Sequence, residues 1–304
     1  MAHPVVSRRA LKSEKTKLLL EETMEPITDW LLLWRQIVEE HEKSHKDSSL
    51  RKRDVWKDRA ARFDENVKKR WARPDSSRSF VLEKLKANPG ATVLDIGAGT
   101  GAWTCIMAPD AGRVIAVEPS ESMASILERN IRDLGLINVD IIREKWPEAD
   151  PGLCDFSLCS HAMYGYPDFR RFISRMEEVT EKTCFLLMKM PVIDGVMAEA
   201  AMRVWGHPYD SPNFQIAYNA LMQMGLCPNV LMEDAGERAP WTHESIDEAL
   251  VDVKRRLGLS EDDSHDRFLH SLLERRLELT GGRYVWPKGV RTALVYWDTE
   301  QTPA

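Results

Sequence analysis

The stretch Thr92-Val93-Leu94-Asp95-Ile96-Gly97-Ala98-Gly99-Thr100-Gly101 decides the fold, because an apolar run leads directly into alternating glycines. The apolar half predicts a buried parallel β-strand. The glycines allow a tight turn and let the backbone approach a ligand closely at the start of the following helix. The sequence therefore predicts a cofactor loop between a strand and a helix of an α/β fold.

Two classes of cofactor fit this loop. Gly97, Gly99 and Ala102 satisfy the loose G-x-G-x-x-G/A pattern of dinucleotide sites, which is a weak signal by itself. Asp95 favours another ligand, because a carboxylate just before the glycines opposes a pyrophosphate at the helix start. S-adenosylmethionine instead carries a sulfonium and an ammonium group. Asp95 suits these charges by contacting the amine directly, through water, or by ordering the loop amides.

A second apolar run, Arg113 to Val117, ends in Glu118. A carboxylate at the carboxyl end of a strand can accept hydrogen bonds from both hydroxyls of a ribose. This end is also where open α/β sheets bind their ligands. Glu118 is therefore a candidate ribose ligand for either class of cofactor.

Two segments, Val93 to Gly101 and Val117-Glu118-Pro119, resemble the class I S-adenosylmethionine-dependent methyltransferases, and the resemblance covers residues 90–190. It implies an α/β fold with a doubly wound, mostly parallel seven-stranded sheet whose last strand is antiparallel. It also implies S-adenosyl-L-methionine as the cofactor and Glu118 as the residue that holds its ribose.

The resemblance implies that two segments of the chain contact the adenine ring of the cofactor. One is the helix start after Glu118, where Ser120 or Met123 would pack on the ring. The other follows the third strand, where this chain has Lys145 and Trp146. Trp146 either stacks on the adenine or seals the core. The residues predicted to bind the cofactor are Asp95, Gly97, Ala98, Gly99, Gly101, Glu118, Pro119, Met123, Lys145, Trp146 and Ser160.

A fourth strand is predicted at Cys154–Ser160, and it is followed by His161 and Tyr164. It resembles the family's fourth motif, which ends beside the transferred methyl group, so His161 and Tyr164 are candidates for the catalytic pocket. The alternative is that His161 caps a turn and Tyr164 packs on the next helix. A general base, His161 or His207, is needed only if the acceptor is an alcohol that holds its proton at neutral pH.

The length of 304 residues, 43% of them hydrophobic, suffices for one large α/β domain with additions. We expect an N-terminal helical extension or lid over residues 1–75 and a methyltransferase domain over residues 76–304. The second amphipathic pattern of the extension contains Trp56, Arg59 and Phe63. Similar family helices close over the cofactor, so these residues are lid candidates; packing on the sheet is the alternative.

Two insertions follow the cofactor half of the domain, residues 90–190. Residues 191–211 contain Trp205, His207 and Tyr209, which we expect to form a wall of the substrate pocket. Residues 236–289 are expected to form a helical cap over the pocket, the surface of a homodimer, or both.

A helix start is predicted at Trp241–Glu244, with Thr242 as its N-cap. The other elements predicted downstream of the fourth strand are helices at 169–180, 213–224, 245–257 and 266–279 and strands at 184–188, 229–232 and 292–297.

Charge and cysteine usage limit the partners and the compartment. A net charge of -6 and a pI near 5.8 lack the basic surface that phosphate binding needs, so a nucleic-acid substrate is disfavoured. The five cysteines form no C-x-x-C pair, and no N-terminal apolar segment precedes them. No apolar run approaches the about 20 residues of a membrane span. We expect a reduced, cytoplasmic protein that does not interact with a membrane.

His41 and His45 are spaced four apart on a predicted helix, a spacing that can bind a metal. No third ligand accompanies them, so no metal site is predicted.

The function predicted from these features is S-adenosylmethionine-dependent methyl transfer, by in-line displacement, to a small or medium-sized metabolite. The alternative is a protein or RNA methyltransferase. A non-catalytic cofactor-binding protein or an NAD-dependent enzyme is the least favoured hypothesis.

Overall fold

The computed structural model describes residues 28–44, 54, 56–57, 59–71, 75–192, 194–233, 240–287 and 291–299. Its main sheet has seven strands. These are β1 (Thr92–Ile96), β2 (Arg113–Val117), β3 (Val139–Ile142), β4 (Cys154–Ser160), β5 (Thr180–Lys189), β6 (Asn229–Met232) and β10 (Thr292–Asp298).

The strand order is β3-β2-β1-β4-β5-β10-β6. Strands β1 to β5 are mutually parallel, whereas β10 pairs antiparallel with both β5 and β6. The prediction of a doubly wound, mostly parallel seven-stranded sheet with an antiparallel last strand is confirmed. This order brings the carboxyl ends of β1, β2 and β4 to one edge of the sheet, and Asp95, Glu118 and His161 lie at or next to these strand ends.

The helices cover both faces of the sheet and extend beyond it at the N-terminus and in the insertions. They are α1 (Trp30–Ser44), α2 (Ala60–Trp71), α3 (Ser76–Lys86), α4 (Ala102–Met107), α5 (Glu121–Asp133), α6 (Phe169–Glu178), α7 (Val196–Trp205), α8 (Phe214–Gln223), α9 (Ile246–Leu257) and α10 (Asp266–Arg276).

The buried apolar stripe of α1 attaches the N-terminal extension to the main domain. Trp34 is 0% exposed, and its ring centroid lies 4.3 Å from that of Phe169 at the start of α6. Its indole N–H donates to the carbonyl of Tyr166 at 2.8 Å. The extension is therefore packed against the loop that follows β4, next to the predicted catalytic pocket.

The second insertion contains a small sheet that the sequence analysis did not predict. Strands β7 (Thr242–His243), β8 (Glu278–Thr280) and β9 (Arg283–Val285) pair antiparallel in the order β7-β9-β8. Helices α9 and α10 share a hydrophobic cluster with α7, so this insertion covers the segment after β5.

Three predicted element boundaries were wrong, two of them in this insertion and one at the start of β5. Thr242 begins a strand, and the N-cap of α9 is Ser245, whose hydroxyl accepts from the N–H of Glu248. The last helix stops at Arg276, because the glycines at 281–282 adopt positive φ angles and close a hairpin between β8 and β9. Thr180 begins β5, where it pairs with Cys154, since β-branched side chains favour extended backbone.

Replacing Trp34 with alanine is expected to destabilise the protein by about 3 to 5 kcal/mol, the usual cost of removing a fully buried large aromatic. Denaturant unfolding of the full chain measures this change. The matched control is Leu32→Ala on the same helix, because Leu32 is 48% exposed. Equal losses from the two substitutions would show that α1 is not docked as described.

Candidate active site

The glycine loop is attached to the end of β2 by its backbone. The N–H groups of Gly97 and Ala98 both donate to the carbonyl of Val117, at 2.8 Å and 3.0 Å. Gly97 has a φ of 70°, and a Cβ built there would overlap the Cβ of Ala162. Only glycine fits this position, and the close approach brings the loop after β1 against the loop after β4.

Glu118 is the second connection between the loop and β2. Its side chain is buried, with the residue 6% exposed. One carboxylate oxygen accepts from the N–H of Gly99 and the other from the N–H of Ser120, both at 2.8 Å. Each oxygen retains acceptor capacity, since a carboxylate offers about four lone-pair positions. Glu118 is thus held in one orientation and can still accept hydrogen bonds from a diol.

Asp95 faces the interior of the loop rather than its surface. The residue is 2% exposed, and its carboxylate accepts from the hydroxyl of Thr104 at 2.6 Å. Burial raises the pKa of Asp95 to about 6, and the negative charge of Glu118 acts in the same direction. Of the three modes expected for Asp95, this geometry corresponds to ordering the loop.

A third carboxylate, Asp54, lies at the start of α5. It accepts from the hydroxyl of Ser120 at 2.8 Å and from the N–H of Ser122 at 2.9 Å. Burial opposes its ionisation, but hydrogen bonds from Ser122, Trp56 and Ser120 outweigh that effect and lower the pKa of Asp54 to about 2. The N-terminal segment is therefore attached beside Glu118 by a stably ionised group.

Asp54, Glu118 and Asp95 together make the site acidic. Burial also raises the pKa of Glu118, and the charge of Asp54 adds to that rise. Like charges in a buried site repel one another, so a cationic ligand relieves the repulsion whereas a pyrophosphate increases it. The electrostatics thus favour a sulfonium and ammonium ligand over a dinucleotide.

The predicted lid residues divide into two groups. Phe63 of α2 lies over the loop, since a Cβ built on Gly99 would be 3.9 Å from its ring. Trp56 packs edge-on to Phe63 with a centroid distance of 5.2 Å, and both pack against buried Met123. Arg59 is exposed. Trp56 and Phe63 therefore cover the glycine loop and the start of α5, and Arg59 is not part of that packing.

His161 and Tyr164 are brought together at the end of β4. The Nδ1 atom of His161 lies 2.9 Å from the Tyr164 hydroxyl, which also accepts from the backbone N–H of Lys189 at 2.7 Å. His161 has a φ of 59°, a region that non-glycine residues seldom adopt. The loops after β4 and β5 are thus joined through Tyr164, and a strained backbone holds His161 at the ligand-binding edge.

Of the two residues predicted to contact the adenine after β3, one is buried and one is exposed. Trp146 is 7% exposed, and its indole N–H donates to the carbonyl of Phe172 at 3.2 Å. Of its two expected roles, the structure shows the sealing of the core. Lys145 is exposed, as is Pro119, while Ser160 is half-buried at the end of β4.

The three predicted substrate residues lie together after α7. The ring centroid of His207 is 5.8 Å from that of Trp205 and 6.0 Å from that of Tyr209. His207 Nε2 also lies 3.6 Å from a carboxylate oxygen of Glu40 on α1. This aromatic group therefore connects the insertion after β5 to the N-terminal extension.

A cavity of about 250 Å³ lies behind the glycine loop, between α2, α4 and α5. Its polar wall is internally paired, because Lys68 donates to Asn130 at 3.0 Å and lies 2.7 Å from Asp64. Neither Glu118 nor the loop after β4 lines it. The cavity therefore adjoins the glycine loop through Thr100 and Gly101, of which Gly101 is a predicted cofactor residue, but it does not include Glu118.

Sequence reasoning missed two residues that shape this site, Asp54 and Thr104. Asp54 precedes Trp56 by two residues, which matches an aspartate capping its own turn, since Asp54 accepts from the N–H of Trp56 at 3.0 Å. That pattern could have suggested a turn but not its contact with Ser120. Thr104 carries no sequence signal, because its pairing with Asp95 depends on how α4 packs on β1.

Among the described residues, no group of three or more histidine, cysteine or acidic side chains could hold a metal ion. His45 and the side chain of His41 lie outside that part of the chain. The helices that the structure describes include none with the length and hydropathy of a membrane span.

One family model matches the part of the chain that carries the candidate site. The model of a family described as a methyltransferase domain matches residues 93–183, from β1 into β5. This range contains the glycine loop, Glu118 and His161.

Two curated relatives are similar over part of their length. The chain is 25% identical over 167 residues to the probable ribosomal RNA small subunit methyltransferase A of Methanosphaera stadtmanae, covering 52% of this chain and 56% of that protein. It is 26% identical over 139 residues to the demethylmenaquinone methyltransferase of Geobacillus stearothermophilus, covering 41% of this chain and 59% of the other. The chain thus spans a little over half the length of these two relatives.

Among solved structures, the YcgJ protein of Bacillus subtilis is similar with a TM-score of 0.49 and 16% sequence identity. The match covers 72% of this chain and 96% of that one.

Gly97→Ala is expected to destabilise the protein more than Gly135→Ala. Both glycines have similar positive φ angles, 70° and 66°. Alanine at either position would therefore be destabilised by about 1 to 2 kcal/mol, because a residue with a Cβ disfavours the left-handed backbone conformation. Only Gly97 meets Ala162, which adds an overpacking cost of about 1 to 3 kcal/mol, whereas nothing lies within 4 Å of a Cβ at Gly135. Urea unfolding measures both changes, and equal losses would contradict the close approach of the two loops.

Asp95→Asn is expected to remove a pH-dependent loss of stability. The pKa of Asp95 is about 6 in the folded protein against a usual 3.8, so the folded state retains a proton that the unfolded state releases between about pH 4 and 6. The stability of the wild type should therefore fall, relative to the variant, by on the order of 3 kcal/mol as pH rises through this window. Unfolding of both proteins at pH 4 and pH 7 measures the difference. A difference that does not change with pH would show that Asp95 is not buried as described.

Proposed function

We propose that this chain is a class I S-adenosylmethionine-dependent methyltransferase that transfers a methyl group to a small or medium-sized metabolite, a proposal supported by the methyltransferase-domain match over residues 93–183. The observation that carries the proposal is the carboxylate of Glu118, held between the N–H groups of Gly99 and Ser120 beside buried Asp95. This arrangement places a hydrogen-bond acceptor for the hydroxyls of a diol next to a source of negative charge.

The residues present fit S-adenosylmethionine, which supplies a methyl group on a positively charged sulfur. Glu118 would hold the ribose hydroxyls, because each of its carboxylate oxygens accepts one backbone N–H and retains capacity for a further hydrogen bond. Asp95 would act indirectly by fixing the loop through Thr104. Trp56 and Phe63 would limit access of water from the side of the N-terminal extension.

Methyl transfer by in-line displacement depends mainly on alignment. Holding two reactants in line can lower the barrier by about 7 to 11 kcal/mol in favourable cases. In this chain the loop after β4 would form that part of the pocket, since Tyr164 connects His161 to the loop after β5. His161 would remove a proton only from an acceptor that retains one at neutral pH, such as an alcohol.

The proposal of a small acceptor rests on two features. The net charge of -6 does not favour a long polyanion. The segments that follow the cofactor half also bring Trp205, His207 and Tyr209 together under the helical insertion, a mixture of apolar and polar groups that is typical of small-molecule pockets. A cytoplasmic location belongs to the same proposal, and it is supported by the five cysteines, all of which are free.

RNA methylation is the second candidate, because the relative from Methanosphaera stadtmanae is named as a probable ribosomal RNA methyltransferase. Supplying radiolabelled S-adenosylmethionine and a cell extract separates the two candidates. Label in the low-molecular-weight fraction supports a metabolite. Label in RNA or protein that is lost on nuclease or protease treatment would refute it.

Glu118→Ala is expected to weaken binding of S-adenosylhomocysteine by about tenfold or more, since a buried ligand hydroxyl loses a charged acceptor. Isothermal titration calorimetry measures the affinity. Glu121→Gln is the matched control, because the Glu121 side chain is 69% exposed three residues further on.

The same titration with NADH tests the alternative cofactor. We expect S-adenosylhomocysteine to bind and NADH not to bind. Tight NADH binding without binding of S-adenosylhomocysteine would overturn the proposed function, and unchanged affinity in Glu118→Ala would remove the ribose role of that residue.

A further inference from the structure

The carboxyl end of β5 places a cationic side chain next to the proposed transfer pocket. Lys189 is the last residue of β5 and is half-buried. Strand β5 pairs with β4, and just after β4 the N–H of His161 donates to the carbonyl of Leu187 at 3.0 Å. Lys189 lies further along β5 from that contact, at the edge of the sheet where open α/β folds bind their ligands.

Tyr164 connects Lys189 to the predicted catalytic histidine. The ammonium of Lys189 lies 5.2 Å from the centroid of the Tyr164 ring, and the backbone N–H of Lys189 donates to the Tyr164 hydroxyl at 2.7 Å. The same hydroxyl lies 2.9 Å from Nδ1 of His161. An ammonium, a phenol and an imidazole thus meet in one place, and each of these groups can donate a hydrogen bond. This combination favours a ligand group that supplies acceptor oxygens.

The charges at the strand ends are divided between the two halves of the edge. Asp95 and Glu118 make the ends of β1 and β2 acidic, which suits a cationic cofactor. In the strand order, β4 separates β1 from β5, so Lys189 lies on the other side of the loop that carries His161. A cation there attracts an anionic acceptor and keeps it apart from the two carboxylates.

Strand β10 adds a second cationic residue at this edge. Thr292 pairs with Lys189, and the carbonyl of the preceding residue, Arg291, accepts from the N–H of Met190 at 2.9 Å. Arg291 is exposed. The acidic residue Glu233 follows β6, which is two strands from β5, or about 10 Å at the usual strand spacing. Lys189 and Arg291 therefore give the adjoining ends of β5 and β10 positive charge.

We propose that Lys189 binds a carboxylate of the methyl acceptor, so that the acceptor is an acidic metabolite; this inference rests on the proposed function. A lysine ammonium is a compact point charge with three donors on a flexible stem. The face of Tyr164 restricts where that ammonium lies, because aromatic faces attract cations. Lys189 would thereby select which molecules reach the loop that carries His161.

Benzoate is a suitable probe, with benzamide as the uncharged control of the same shape. Both are titrated by calorimetry into the full chain saturated with S-adenosylhomocysteine. We expect benzoate to bind about tenfold more tightly than benzamide, since a hydrogen bond between charged groups is the stronger one. Lys189→Met should remove this preference by weakening benzoate binding alone, whereas Lys189→Arg, which keeps the charge, should retain more of the affinity.

Lys182→Met is the matched control for the loss of a lysine from β5. The ammonium of Lys182 also lies over an aromatic ring, that of Phe156 at 5.7 Å, but near the amino end of the strand. Its removal should leave benzoate affinity unchanged.

The affinity of each variant for S-adenosylhomocysteine serves as the check on folding. Benzoate that fails to bind, that binds no better than benzamide, or that binds Lys189→Met as well as the wild type would overturn the proposal; Lys189 would then only pack on Tyr164. If S-adenosylhomocysteine fails to bind but benzoate binding still depends on Lys189, the carboxylate site stands and the proposed function falls.

Discussion

The hydrogen bonds of Glu118 are the constraint on which the site depends. One carboxylate accepts from Gly99 in the loop after β1 and from Ser120 at the start of α5. Asp54 binds the same turn from the N-terminal side through Ser120. The glycine loop, the start of α5 and the N-terminal extension therefore meet in one small polar cluster. A change in any of them is transmitted to the Glu118 carboxylate.

This cluster also sets the electrostatics of the site. Burial raises the pKa values of Asp95 and Glu118, so ionising both costs free energy in the protein alone. A bound cation recovers that free energy, because it interacts with charges already fixed in a low-dielectric site. The carboxylates that hold the loop in shape therefore also favour a cationic ligand over an anionic one.

Much of the sheet could be predicted because it depends on local patterns. Strands β2, β4 and β6 were predicted with their observed limits, since each is a short apolar or alternating run next to turn residues. The placement of Trp146 could not be decided in the same way, because stacking on a ligand and sealing a core require the same side chain. The contact of Glu40 with His207 joins residues far apart in sequence, so it depends on tertiary packing that local patterns do not encode.

The most direct test of the account is a crystal structure of the protein with S-adenosylhomocysteine. The account predicts both ribose hydroxyls within hydrogen-bonding distance of the Glu118 carboxylate and the sulfur beside the loop that carries His161 and Tyr164. A nucleoside bound away from Glu118, or with its sulfur away from that loop, would contradict it.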